Sequence, residues 1–204
     1  MIIKTKKELK YFLHADKFAL GKTYSFPRIY DKVWLFQIYL RYYEYFANNG
    51  SVFKYIFQYL KFRLGIKLGF DIPINVFGPG LRINHFGNIV IHNKVRIGAW
   101  CDIHQGVNIG SNLSSSGEPL VPVIGSNVWI GPGAKIFGDI LIGNSVVVGT
   151  NSVVFKDVKK SSLIVGNPGV VVRNSGTECL HVMANIRTSN DFYDKYPQYA
   201  EFNK

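Results

Sequence analysis

From Ile124 onward the chain reads, in sixes, IGSNVW, IGPGAK, IFGDIL, IGNSVV, VGTNSV and VFKDVK. Position one is Ile124, Ile130, Ile136, Ile142, Val148 and Val154. Position five is Val128, Ala134, Ile140, Val146, Ser152 and Val158, small or aliphatic throughout. Neither the 3.6-residue period of a helix nor the 2.0-residue period of a strand produces this pattern. A six-residue repeat predicts a parallel β-helix in which each repeat supplies one short strand and one corner. Gly125, Gly131, Gly143 and Gly149 recur at position two. The expectation is that a sharp corner there uses glycine's wide φ/ψ range.

The repeat can be followed backward. Ile109, Ile103, Ile97 and Ile91 are six apart, with Val107, Cys101 and Val95 at position five. Ile124 comes fifteen residues after Ile109, where two repeats need twelve, so residues 111–123, polar and proline-containing, are predicted to leave the coil as a loop. A loop thrown out of a rigid solenoid is a usual place for a substrate contact. Six before Ile91 stands His85, which this register puts in an inward aliphatic slot. A histidine buried there without partners would cost about 1–3 kcal/mol. Either the register shifts at Gly78-Pro79-Gly80 or the ring uses its polarity at a gap in the wall. A histidine titrating near neutrality suits proton removal from a hydroxyl. His92 and His104 lie close by. His104 is nineteen residues on, about one three-sided turn, so it is expected almost directly above His85.

The 204 residues carry a formal charge of +11, unevenly spread. Residues 1–70 hold 13 Lys/Arg against 4 Asp/Glu, and the other 134 hold 11 against 9. Cys101 and Cys179 have no paired spacing, so neither a disulfide framework nor a thiolate metal site is indicated. No apolar run followed by a small-residue cleavage site opens the chain, so a cytoplasmic protein is expected. Residues 1–70 predict three helices, over Lys7–Leu20, Ile29–Phe46 and Val52–Leu64. Phe53, Ile56, Phe57, Leu60 and Leu64 keep one helical face in the third. These basic, aromatic helices are expected first to pack against each other, the coil or a sister subunit, and second to contact an anionic membrane surface peripherally. No run is long and apolar enough to span. Nucleic-acid binding is not expected, because no reader motif accompanies the charge.

The segment Asp71–Arg173 resembles the hexapeptide-repeat acyltransferases with a left-handed β-helix, and among them the serine O-acetyltransferase group and its sugar-modifying relatives. The features that carry the likeness are the repeats, Asp71-Ile72, GPGLRINHFGNIVI around His85, the loop after Ile109, GPGAKIFG and the closing VGNPGVVVR. With the residue patterns, three parts are expected: an α-helical region 1–70, a coil 71–173 with loop 111–123, to which the resemblance is confined, and a tail 174–204. The resemblance implies acetyl-CoA as donor, no metal, and a homotrimer with active sites in grooves between coils. His85 matches the catalytic histidine that deprotonates the acceptor hydroxyl. Asp71 matches the carboxylate that orients it. Gly131, Thr150, Lys156 and Arg173 lie where relatives bring backbone and basic groups to coenzyme A.

Two departures bear on the acceptor. Serine acetyltransferases hold the amino acid with an acidic residue before the catalytic histidine and with an Arg-His pair before the proline that re-enters the coil. Here those positions are Asn84, and Leu120-Val121 before Pro122. On that ground the expected acceptor is a sugar hydroxyl of a surface or capsular polysaccharide, bound by Asn84 and His104, with serine as the alternative. Two other readings use the same coil. One is a zinc hydratase of the carbonic-anhydrase type built on His85, His92 and His104, whose spacing does not match that family. The other is a non-enzymatic trimeric scaffold.

Overall fold

The computed structural model describes residues 2–178 and 189–203, so Cys179 lies outside the described residues. From Phe70 onward the chain winds through three faces in turn, each built from two- to three-residue parallel strands. One face stacks Phe70–Asp71, Ile89–Ile91, Asn108–Gly110, Lys135–Phe137 and Val153–Val154. A second stacks Arg96–Ile97, Val123–Ile124 and Leu141–Ile142, extended by bridges from Phe77 and Val158. The third stacks Arg82–Ile83, Asp102–Ile103, Trp129–Ile130, Val147–Val148 and Leu163–Val165, and Val170–Arg173 closes it antiparallel. Position-one residues lie above one another, Ile103 on Ile130 on Val148, and the position-five set is buried with them. The core is thus an apolar column down the axis. Ser152 is tolerated in it because its Oγ accepts from Gly166 N at 3.1 Å.

The position-two glycines have a different cause from the one expected. None has positive φ; the left-handed corners fall at position four, on Asn127 (57°), Gly133 (74°), Ser145 (58°) and Asn151 (56°). Position two is where consecutive coils touch. A Cβ on Gly143 would stand 2.5 Å from Lys160 N, and one on Gly131 would stand 2.9 Å from Thr150 N. The glycines are therefore demanded by stacking between coils.

The register at His85 also differs from the expectation. Ile83 pairs with Ile103, so Ile83, not residue 85, fills the inward slot. The next inward residue in phase is Ile91, eight residues on, which makes Asn84–Asn88 a corner with two extra residues. His85 is carried on it, exposed. The slip lies there and not at Gly78-Pro79-Gly80. Loop 111–123 leaves the coil as expected, but it replaces one short step. Ile97 pairs with Ile124, nine residues beyond the spacing of 18 between Ile124 and Ile142. Its excess folds as a hairpin, Asn112–Leu113 against Pro119–Leu120.

Three helices precede the coil: α1 (Lys6–Ala19), α2 (Lys32–Asn48) and α3 (Lys54–Leu68). Thr5 and Glu8 form a capping box at α1, and Gly69 (φ 75°) ends α3. Arg41 of α2, fully buried, fastens α1 and α2 to the first coil. Its guanidinium donates to Asp16 (2.8 Å), Glu44 (2.9 Å), Phe77 O (3.0 Å) and Gly78 O (2.7 Å). Leu81 N and Asn75 N complete the two carboxylates. The tail returns to this end. Thr177 hydrogen-bonds Ser145 and Asn127, and α4 (Ser189–Lys195) with the 3₁₀ turn Pro197–Phe202 covers α1 and Trp100. No helix among the described residues is long and apolar enough to cross a membrane.

Candidate active site at one corner of the coil

The corner between the third face and the first gathers most of the polar side chains of interest. Its backbone ladder runs Asn84 N to Ile103 O (3.1 Å), His104 N to Ile130 O (3.2 Å), Gly131 N to Val148 O (2.9 Å) and Gly149 N to Ile164 O (2.8 Å). Asn84, His104, Gly131 and Gly149 therefore stand in one column, with His85 and Thr150 one residue further round. The ring of His104 packs on Trp129, centroids 4.9 Å apart. Trp129 in turn leaves no room for a side chain on Gly131, whose Cβ would lie 2.6 Å from it.

Behind Asn84 lies a carboxylate that sequence reading missed. Asp102 is 1% exposed and pairs with Arg82 Nη1 at 2.7 Å. Asn84 Nδ2 donates to Asp102 Oδ1 and sits 3.1 Å from His104 Nε2, which is itself 3.6 Å from Asp102 Oδ1. Burial, then the charges of Arg82 and His85, push His104 down to about 4. Its neutral Nε2 accordingly accepts from the amide. With both amide hydrogens directed inward, Asn84 Oδ1 is the atom left to accept from a ligand. Arg82 and Asp102 are outward residues one coil apart. The two-residue insertion at His85 breaks the spacing that would have paired them on paper.

The other expected residues fall elsewhere. Asp71 lies on the first face beside Val90, and no hydrogen bond or ion pair joins it to His85 among the described residues. It lines a separate concavity of about 480 Å³ with His92, Asn93, Asn108 and Ser111. Lys156 stands at the next corner, its Nζ 6.0 Å from the ring of Phe155, which stacks on Phe137. Arg173 is exposed at the end of the closing strand. Within one chain, then, His85, Asn84, His104, Gly131 and Thr150 share a corner, whereas Asp71, Lys156 and Arg173 do not. Among the described residues no group of three His, Cys, Asp or Glu could hold a metal ion.

A corner of this kind offers an exposed imidazole, a fixed amide oxygen and a guanidinium within one coil of each other. That set can hold a polar acceptor and remove a proton from it. The bacterial transferase hexapeptide family (six repeats) matches residues 122–156. The chain is 40% identical over 99 residues to a serine acetyltransferase of Synechococcus elongatus, covering 48% of this chain and 40% of that protein. It is 39% identical over 121 residues to the serine acetyltransferase of Staphylococcus xylosus, covering 59% and 54%. Among solved structures, the serine acetyltransferase of Brucella abortus in complex with coenzyme A superposes with a TM-score of 0.69 at 25% identity, over 84% of this chain and 70% of that one. The resemblance to hexapeptide-repeat transferases, and among them to serine acetyltransferases, thus holds. The chain spans about half the length of the curated relatives it matches.

These likenesses overturn the expected sugar acceptor, since the relatives aligned to the coil are serine acetyltransferases. Asn84 and Leu120-Val121 depart from the pattern at single positions, and these do not outweigh a likeness that runs along the coil. At this corner the buried Asp102 carboxylate is bonded to the Asn84 amide and paired with Arg82, so the two charges are matched to each other.

Proposed function

We propose that this chain is an acetyl-CoA-dependent serine O-acetyltransferase. The observation that carries the reading is the likeness to serine acetyltransferases over the coil that bears His85. In this account Asn84 Oδ1 accepts from the serine ammonium, and Arg82 meets the carboxylate. His85 takes the hydroxyl proton as the serine oxygen attacks the thioester carbonyl. The tetrahedral intermediate collapses with loss of the coenzyme A thiolate, which receives the proton from the imidazolium. Asp71 is assigned to orient His85. The strand it belongs to begins beside the His85 corner, where Gly87 N donates to Leu68 O at 2.8 Å.

The coenzyme arm is assigned to Gly131 and Thr150 on the same corner and to Lys156 and Arg173 on the neighbouring edges. Those edges meet the corner when three copies of a left-handed coil associate, which is the assembly proposed here. Exposed Val123 and Leu141, adjacent on the second face, are apolar surface that association would cover. Thiol release from acetyl-CoA, followed with and without L-serine, tests the activity. Stimulation by serine well above the acceptor-free rate is expected; a rate equal to that blank removes the reading.

A further inference from the structure

Helix α3 carries two apolar stripes. Phe57, Leu60, Leu64 and Leu68 turn toward α2 and the coil. Tyr55, Tyr59, Phe62 and Ile66, spaced four, three and four residues apart, make a second stripe that is 58–65% exposed. The described tail covers α1, not this stripe. Beside it, α2 and α3 enclose an apolar groove of about 470 Å³, rimmed by Lys32, Arg63 and Lys67. The segment leading into Lys32 adds Phe26 and Ile29, 82% and 84% exposed. Lys54–Leu68 contains no Asp or Glu.

We infer that the outer face of α3, with the α2–α3 groove, docks on an anionic lipid bilayer. A second copy of the same face is a poor occupant, because it would set like charges against each other with no carboxylate between them. A bilayer surface answers each feature. Tyrosine and phenylalanine rings settle at the headgroup boundary, while Arg63, Lys67 and Lys32 meet lipid phosphates with their stems along the apolar groove. The inference concerns one helix of the three in the basic region. The inward faces of α1 and α2 are occupied by the coil and the tail.

The test is cosedimentation of the full chain with vesicles. Vesicles of phosphatidylglycerol and phosphatidylcholine in equal parts should bind it in low salt, at least tenfold more strongly than phosphatidylcholine alone. Raising ionic strength to about 0.5 M should release it, since the attraction is then screened beyond a few ångströms. The pairs Tyr59→Ser with Phe62→Ser, and Arg63→Glu with Lys67→Glu, lie on the surface and should each weaken binding at least tenfold without changing the circular dichroism. Four results overturn the inference: no binding to the anionic vesicles in low salt; equal binding to both vesicle types; full binding by both double variants; or loss in those variants of a self-association seen in the parent, which would make a second copy the occupant of the face.

Discussion

At the scale of the residue, the corner is an arrangement of charge around Asn84. Asp102 and His104 fix the amide and Arg82 holds Asp102, so Asp102 is a positioning residue and not a contact to substrate. Asp102→Asn should raise KM for serine by about tenfold, the size expected for one charge-assisted hydrogen bond, and leave KM for acetyl-CoA unchanged. His104 makes a separate prediction. Its imidazole is held down near 4 in the folded chain against about 6.5 unfolded, so the unfolded chain gains a proton that the folded one refuses. Folded stability therefore falls as pH drops from about 6.5 to about 4. His104→Gln should lessen that fall, by about 1–2 kcal/mol once solvent screening of a partly exposed ring is allowed for, in denaturant titrations run across that range. His85 was legible as an odd residue in an aliphatic column, yet the sequence could not show that two extra residues at its corner turn the ring outward. Asp102 was invisible for the same reason, because its partners Arg82 and Asn84 stand at spacings the insertion disturbs.

At the scale of the element, the repeat told almost everything about the coil and little about what closes it. The six-residue period is written in Ile, Val and Gly, and each choice has a local cause: an inward slot, a contact between coils or, at Gly133, a left-handed corner. The helices were legible to within a few residues because capping and apolar spacing are local. Arg41 was not legible. A lone arginine in an aromatic helix reads as a solvated charge, and only the packed structure shows both carboxylates and both carbonyls converging on it. Removing it would leave Asp16 and Glu44 buried together. Arg41→Leu should destabilise the protein by about 3–5 kcal/mol in chemical denaturation. Burial already pushes the Glu44 carboxyl up against the pull of Arg41. Gly131→Ala is expected to lower both stability and coenzyme A affinity, since its Cβ meets the Trp129 ring and the next coil.

At the scale of the whole molecule, the account requires more than one chain. The corner with His85 and the residues Lys156 and Arg173 lie apart in a single coil, so the proposed coenzyme site is completed only by association. Sedimentation equilibrium should return about three times the 23.1 kDa chain mass at micromolar concentration, and a stable monomer would remove the shared groove. The measurement that bears most directly on the central claim is product formation from acetyl-CoA and L-serine, followed by mass spectrometry in the parent protein and in His85→Ala. The account predicts O-acetylserine from the parent and a rate at least about a hundredfold lower from the variant, with acetyl-CoA binding intact, as for loss of a general base. Equal product from both proteins, or none from the parent, would contradict it.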